Sequence, residues 1–156
     1  MELTIEHALH QGVAAHKEGK FRDAERLYRA ILQSQPLHPD ANHNLGVLAV
    51  SANKAEEALQ FFKTAQEANP KKEQFWLSYI HALIKTEKVD DARRVLADAH
   101  QAGVTAKKLE IFEKQLEFEL SPRSDINQRE TSSSLHSHQD ELSAAIEFCE
   151  IGRYKE

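Results

Sequence analysis

One spacing constrains this chain more than any other feature: a period of 34 residues running through residues 5–104. Gly12 returns as Gly46, Ala24 as Ala58 and Ala92, and Pro36 as Pro70. Tyr28, Phe62 and Leu96 share one register, as do Lys20, Lys54 and Lys88. Asp23, Glu57 and Asp91 each stand directly before the recurring alanine. Self-similarity at this length marks a repeat architecture. Each unit is one supersecondary motif that buries its apolar side only by stacking on its neighbours.

Each unit reads as two amphipathic helices joined by a short turn. The expected spans are 4–18 and 21–34, then 39–52 and 55–69, then 73–86 and 89–102. Gly12 opposite Ala24, and Gly46 opposite Ala58, would let paired helices approach closely. Tyr28, Phe62 and Leu96 are the large side chains expected to fill the space between neighbouring units. Gly19 and Asn53 fall where a left-handed residue ends a first helix. Pro36 and Pro70 stop the second helices, because proline cannot continue the hydrogen-bond ladder. The acidic Asp23, Glu57 and Asp91 lie in first turns, where the helix dipole favours negative charge. Only 7% of residues are aromatic, and five glycines with four prolines leave little turn chemistry for strands. The fold class expected is therefore all-α, with a core built largely on Ala and Leu.

These residues carry a family resemblance. The run Asn44-Leu45-Gly46 followed by Ala58, Phe62, Ala65 and Pro70 closely resembles a tetratricopeptide repeat. Trp76, Tyr79, Leu83 and Ala92 match the same pattern one unit later, and Gly12, Ala24, Tyr28 and Pro36 match it one unit earlier. The resemblance implies a right-handed helical repeat whose first helices line a concave groove, and a protein-protein interaction role. Four positions depart from the pattern. Gln11 stands where the family has Leu, Ile80 replaces the small residue, Glu87 takes the turn position, and Val104 stands where Pro is expected. Ile80 should splay or shift the third unit.

Beyond the repeats, Gly103 is a helix stop and Thr105 an N-cap for one more helix. Leu109, Phe112 and Leu116 recur at helical spacing within charged residues, which suits a capping helix. The expected organisation is three units with that cap over residues 1–120, a polar linker over 121–139, and an amphipathic helix over 140–156. The linker contains Thr131-Ser132-Ser133-Ser134 and only Ile126 and Leu135 as aliphatics, too little to offset ordering entropy. The last segment places Leu142, Ala145, Ile146 and Cys149 on one stripe and matches the first half of a further repeat. Residues 140–151 could fray, dock onto the array, or pair with a second protomer to give a homodimer.

No GxxxxGK[ST], GxGxxG, GxSxG or HExxH pattern occurs, so no catalytic residue is expected and no cofactor. Nine histidines invite a metal reading. His136 and His138 lack a third ligand, however, and no metal site is expected. Cys149 is flanked by Glu147 and Glu150, which disfavour a thiolate. The net charge is −5 with both signs interspersed, which argues against nucleic acid. The N-terminal run has no basic and apolar leader, and no stretch reaches 18 apolar residues. With a lone cysteine, this points to a cytoplasmic protein without a membrane anchor.

By the family analogy, the groove wall should include His10, His16 and Lys17, then His43, Asn44, Val47 and Ser51, then Gln74, Ser78, His81 and Lys85. The plainer reading leaves these as exposed polar surface. Adaptors of the major chaperones clamp a C-terminal carboxylate at positions held here by Leu9, Val13, Asn44, Gln74 and Ser78, of which only Asn44 matches. The resemblance therefore implies a protein or peptide partner without that clamp, in the N-terminal array of a larger transferase-type protein. The alternative is a free-standing adaptor for secretion, pilus or envelope assembly, and a distant third is an enzyme with its own active site.

Overall fold

The computed structural model describes residues 4–120, with side chains through 118. The expected linker 121–139, the expected helix 140–156 and His136, His138 and Cys149 lie outside the described residues. Seven helices follow in order: α1 (Ile5–Lys17), α2 (Phe21–Ser34), α3 (Pro39–Ser51), α4 (Ala55–Ala68), α5 (Glu73–Lys85), α6 (Val89–Gln101) and α7 (Ala106–Leu120). No strand occurs among the described residues. The fold is an all-α helical repeat, and the helix boundaries expected from the period hold to within a residue.

Four helices end in the same turn. Gly19, Asn53, Glu87 and Gly103 adopt positive φ of 73°, 59°, 58° and 82°. In the first, Gly19 N–H donates to the His16 carbonyl and Lys20 N–H to that of Ala15, at 3.0 and 2.9 Å. The same two bonds recur at Asn53/Lys54, Glu87/Lys88 and Gly103/Val104. This pairing satisfies carbonyls that a helix end leaves without partners. Glu87 carries a Cβ in a conformation that disfavours one, a cost of about 1 kcal/mol.

The glycines are spaced for a different neighbour than alanine. A Cβ on Gly12 would stand 2.5 Å from Tyr28 Cε1, and one on Gly46 2.6 Å from Phe62 Cε1. The small residue of each first helix thus receives the aromatic ring of its own second helix, so Tyr28 and Phe62 fill the interior of a unit as well as its flank. Ala24 and Ala58, fully buried, complete the same crossings. In the third unit the pair is exchanged: Ile80 and Leu96 occupy these registers, and both are buried in one core cluster. Bulk has moved from the second helix to the first. Helices α5 and α6 approach each other less closely than the other two pairs, as Ile80 implied.

Neighbouring first helices also touch: α1 meets α3, α3 meets α5, and α5 meets α7. Neighbouring second helices make no comparable approach. The first helices therefore form the inner row of a curved stack and the second helices the outer. Burial follows this order. Residues 41–48 of α3 are all buried, whereas α2, α4 and α6 each bury a single stripe. Helix α3 is thus enclosed on nearly every side, with the polar Asn42, His43 and Asn44 among its buried residues.

The α7 cap packs through Leu109, Phe112 and Leu116, the stripe read from the sequence. Thr105 stands at the N-cap position and its carbonyl accepts from Leu109 N–H at 3.4 Å. Its side chain does not cap the helix, however. The Thr105 hydroxyl donates to Glu73 Oε1 at 2.6 Å, and the same oxygen accepts Thr105 N–H at 3.1 Å. Lys108 donates to the other carboxylate oxygen. These bonds, from Lys108 first and then Thr105, hold the Glu73 carboxyl down at about 2. A carboxylate on α5 thereby supplies the anionic cap that α7 lacks locally.

Candidate functional site

All eleven residues expected to line a groove lie on the inner row, and several of them serve as framework. His43 on α3 and Ser78 on α5 lie 2.9 Å apart, Nε2 to Oγ, and both are buried. The His43 ring also sits 4.9 Å from that of Phe75 and 5.5 Å from that of Phe62. This histidine and serine satisfy each other and fasten adjacent first helices, so they are framework. Val47 is buried with Ala58, Phe62 and Ala82, where it serves the core.

Asn44 and Gln74 differ from these. Asn44 is only 8% exposed, and its Nδ2 has no hydrogen-bond partner. The Nε2 of Gln74 is buried and equally without a partner. Leaving one buried donor unmade costs about 1–3 kcal/mol. Two on successive inner helices break the rule that buried polar groups are paired. His81, one turn beyond Ser78 on α5, is buried as well. Burial, with Lys85 nearby, lowers its pKa to about 4, so the ring is uncharged at neutral pH. His10, Lys17, Ser51 and Lys85, on the same helices, are exposed and His16 is half-buried.

Sequence reasoning missed a further pair. Asp40 accepts from Lys72 Nζ across α3 and the start of α5, and the same ammonium lies 4.7 Å from the Phe75 ring centroid. The period carries no signal for it, since Asp40 stands one period before Gln74 and Lys72 one period after His38. Trp76, read as core, is buried and donates from Nε1 to the Pro70 carbonyl at 2.8 Å. One unit earlier Asn42 Nδ2 makes the equivalent bond to Pro36 at 3.0 Å. Both tie an inner helix to the loop before it.

Among the described residues no three His, Cys, Asp or Glu side chains are grouped to hold a metal ion. No helix among them is long and apolar enough to cross a membrane. The inner row thus holds two buried amide donors without partners, with Lys17 and Lys85 exposed on the same helices.

No curated protein sequence matches the chain significantly. Solved structures do. The TPR domain of Sgt2 from Aspergillus fumigatus superposes with a TM-score of 0.65 at 16% identity, covering 83% of this chain and 93% of that one. The TPR2B domain of yeast Sti1 in its pHsp70 complex gives 0.66 at 16% identity, covering 74% and 97%. The Yersinia enterocolitica type III secretion chaperone SycD, in complex with a peptide of the translocator YopD, gives 0.56 at 13% identity, covering 96% of each. Two tetratricopeptide repeat models match residues 9–73 and 49–105, which together span the repeats read from the sequence. The chain belongs to the tetratricopeptide repeat family, whose stacked helix pairs are protein-interaction scaffolds.

Proposed function

We propose that the inner row of this scaffold binds an extended segment of a partner protein, with Asn44 and Gln74 reading its backbone carbonyls. The observation that carries this reading is the pair of buried amide donors without partners on α3 and α5. A rotation of either side chain toward an acceptor on the ligand removes a standing penalty, so the gain from binding exceeds that of an ordinary exposed amide. His10, His16, Lys17, Ser51 and Lys85 would contact the ligand at the rims. His43, Val47 and Ser78 would hold the wall, and His81 would keep its floor uncharged.

The chaperone-type carboxylate clamp is not part of this reading, because Leu9 and Val13 offer no donor at their positions. A peptide-bound chaperone among the structural neighbours supports an adaptor role. The array of a larger transferase-type protein is the other context in which such a groove would serve. Catalysis by these residues themselves is the least supported reading, given the absence of a catalytic motif in the sequence.

The test is peptide display against the whole chain, followed by titration calorimetry. Selected peptides should bind saturably and lose about tenfold with Asn44→Ala or Gln74→Ala, the worth of one hydrogen bond. An acidic tail peptide with a free carboxylate should show no saturable binding. Peptides that bind both alanine variants as well as the native chain would place the site elsewhere.

A further inference from the structure

The two buried amides share a deficit of one sign. Asn44 Nδ2 and Gln74 Nε2 both lack an acceptor, whereas neither side chain's carbonyl oxygen is left buried without a partner. A ligand that relieves this deficit must bring carbonyl oxygens and need bring no N–H. An ordinary extended segment brings one of each per residue, and every N–H it buries without an acceptor costs free energy. Proline brings the carbonyl alone.

The array already uses this chemistry on itself. Asn42 Nδ2 donates to the Pro36 carbonyl at 3.0 Å, and Trp76 Nε1 donates to the Pro70 carbonyl at 2.8 Å. Donors and prolines alike are one period apart, so two successive inner helices each hold a proline carbonyl with a side-chain N–H. Asn44 stands two residues after the first of these donors and Gln74 two before the second, and both remain unused.

The spacing favours one backbone form. Gln74 lies four residues before Ser78, the residue one period after Asn44, which offsets the amides by about 6 Å along the helix axes. Packed helices stand about 8–10 Å apart, so the two donors are separated by about 10–12 Å. In a polyproline II helix, carbonyls three residues apart face the same way at about 9 Å. On one face of a strand they recur at about 7 or 14 Å, a poorer match.

We propose that the partner segment held by Asn44 and Gln74 is proline-rich and bound as a polyproline II helix, with carbonyls three residues apart accepting from the two amides. This rests on the peptide-binding reading above. Such a helix is preformed, so little ordering entropy opposes its capture. Phe75 and Trp76 are buried and cannot stack on pyrrolidine rings, so recognition falls to the amides.

The probe is an acetylated and amidated decaproline, titrated into the whole isotope-labelled chain and read from the side-chain amide signals by NMR. It should shift the Asn44 and Gln74 signals saturably. Asn44→Ala and Gln74→Ala should each weaken binding about tenfold. Gln74 is half-buried, so Gln74→Glu keeps its size, removes the donor and should weaken binding as much without loss of folding. A Thr-Ser peptide of equal length should bind at least about tenfold more weakly than decaproline. Decaproline that leaves both signals in place, or that binds the variants as well as the native chain, would overturn the proposal. Displayed peptides that depend on both amides yet contain no proline would overturn it too while leaving the peptide-binding reading intact. If no peptide depends on either amide, both fail.

Discussion

Gly46→Ala, alone and combined with Phe62→Leu, isolates the packing rule of the repeat. The added methyl would lie 2.6, 2.7 and 2.9 Å from Phe62 Cε1, Cδ1 and Cζ. Phe62 is itself buried, so its ring cannot swing into solvent. Overpacking of this kind costs about 1–3 kcal/mol, while replacing glycine within a helix returns about 1 kcal/mol. A net loss of about 1–2 kcal/mol is expected. Phe62→Leu alone leaves a partial void and should also cost about 1–2 kcal/mol. Together the methyl and the void meet, which approximates the Ile80 and Leu96 exchange of the third unit. The double variant should then be less destabilised than the sum by about 1 kcal/mol or more. Urea unfolding followed by circular dichroism measures all four proteins, provided the dependence on urea stays constant. Additivity within about 0.5 kcal/mol would refute the account, because the two positions would then not share space.

Two further outcomes follow from single residues. Glu87→Gly should stabilise the chain by about 0.5–1 kcal/mol, since glycine adopts the positive φ without strain, and thermal unfolding would register the gain. His81 adds a pH dependence. Its folded pKa of about 4 lies below the ordinary 6.5, so the native state binds fewer protons between these values. The contribution is present above pH 6.5 and is lost as the pH falls toward 4, by about 3 kcal/mol in all. His81→Gln should flatten stability across that window in urea titrations at each pH.

The period of 34 made nearly all of the helical boundaries legible, because Gly19, Asn53, Pro36 and Pro70 punctuate the chain by local chemistry. Register also found the α7 stripe. It did not reveal which residues meet across the period. Gly12 was matched with Ala24 by size, whereas the ring of Tyr28 occupies the space beside it, a fact set by side-chain direction along the helix. Thr105 looked like a local cap because its partner Glu73 lies 32 residues away. The inner row was legible as a face but not in its division of labour. His43 and Asn44 are adjacent in sequence and both buried, yet His43 has Ser78 within bonding distance while the Asn44 Nδ2 has nothing. Adjacent residues point about 100° apart around a helix, so His43 meets Ser78 and Asn44 does not.

The contrast between the two rows has a mechanical consequence. Inner helices are joined laterally by His43 with Ser78, by Asp40 with Lys72 and by Glu73 with Thr105. Outer helices make no comparable approach to one another, and the pair that joins them, Lys88 with Glu56 at 3.4 Å between the start of α6 and α4, is exposed. A bending load thus meets a stiff lamina on one side and looser joints on the other, as in a strip spring. The stack can fan its outer helices at little cost while distances along the inner lamina hold nearly constant. The spacing of Asn44 and Gln74 would then survive changes of curvature, and a partner bound there would meet the same two donors however the outer helices spread.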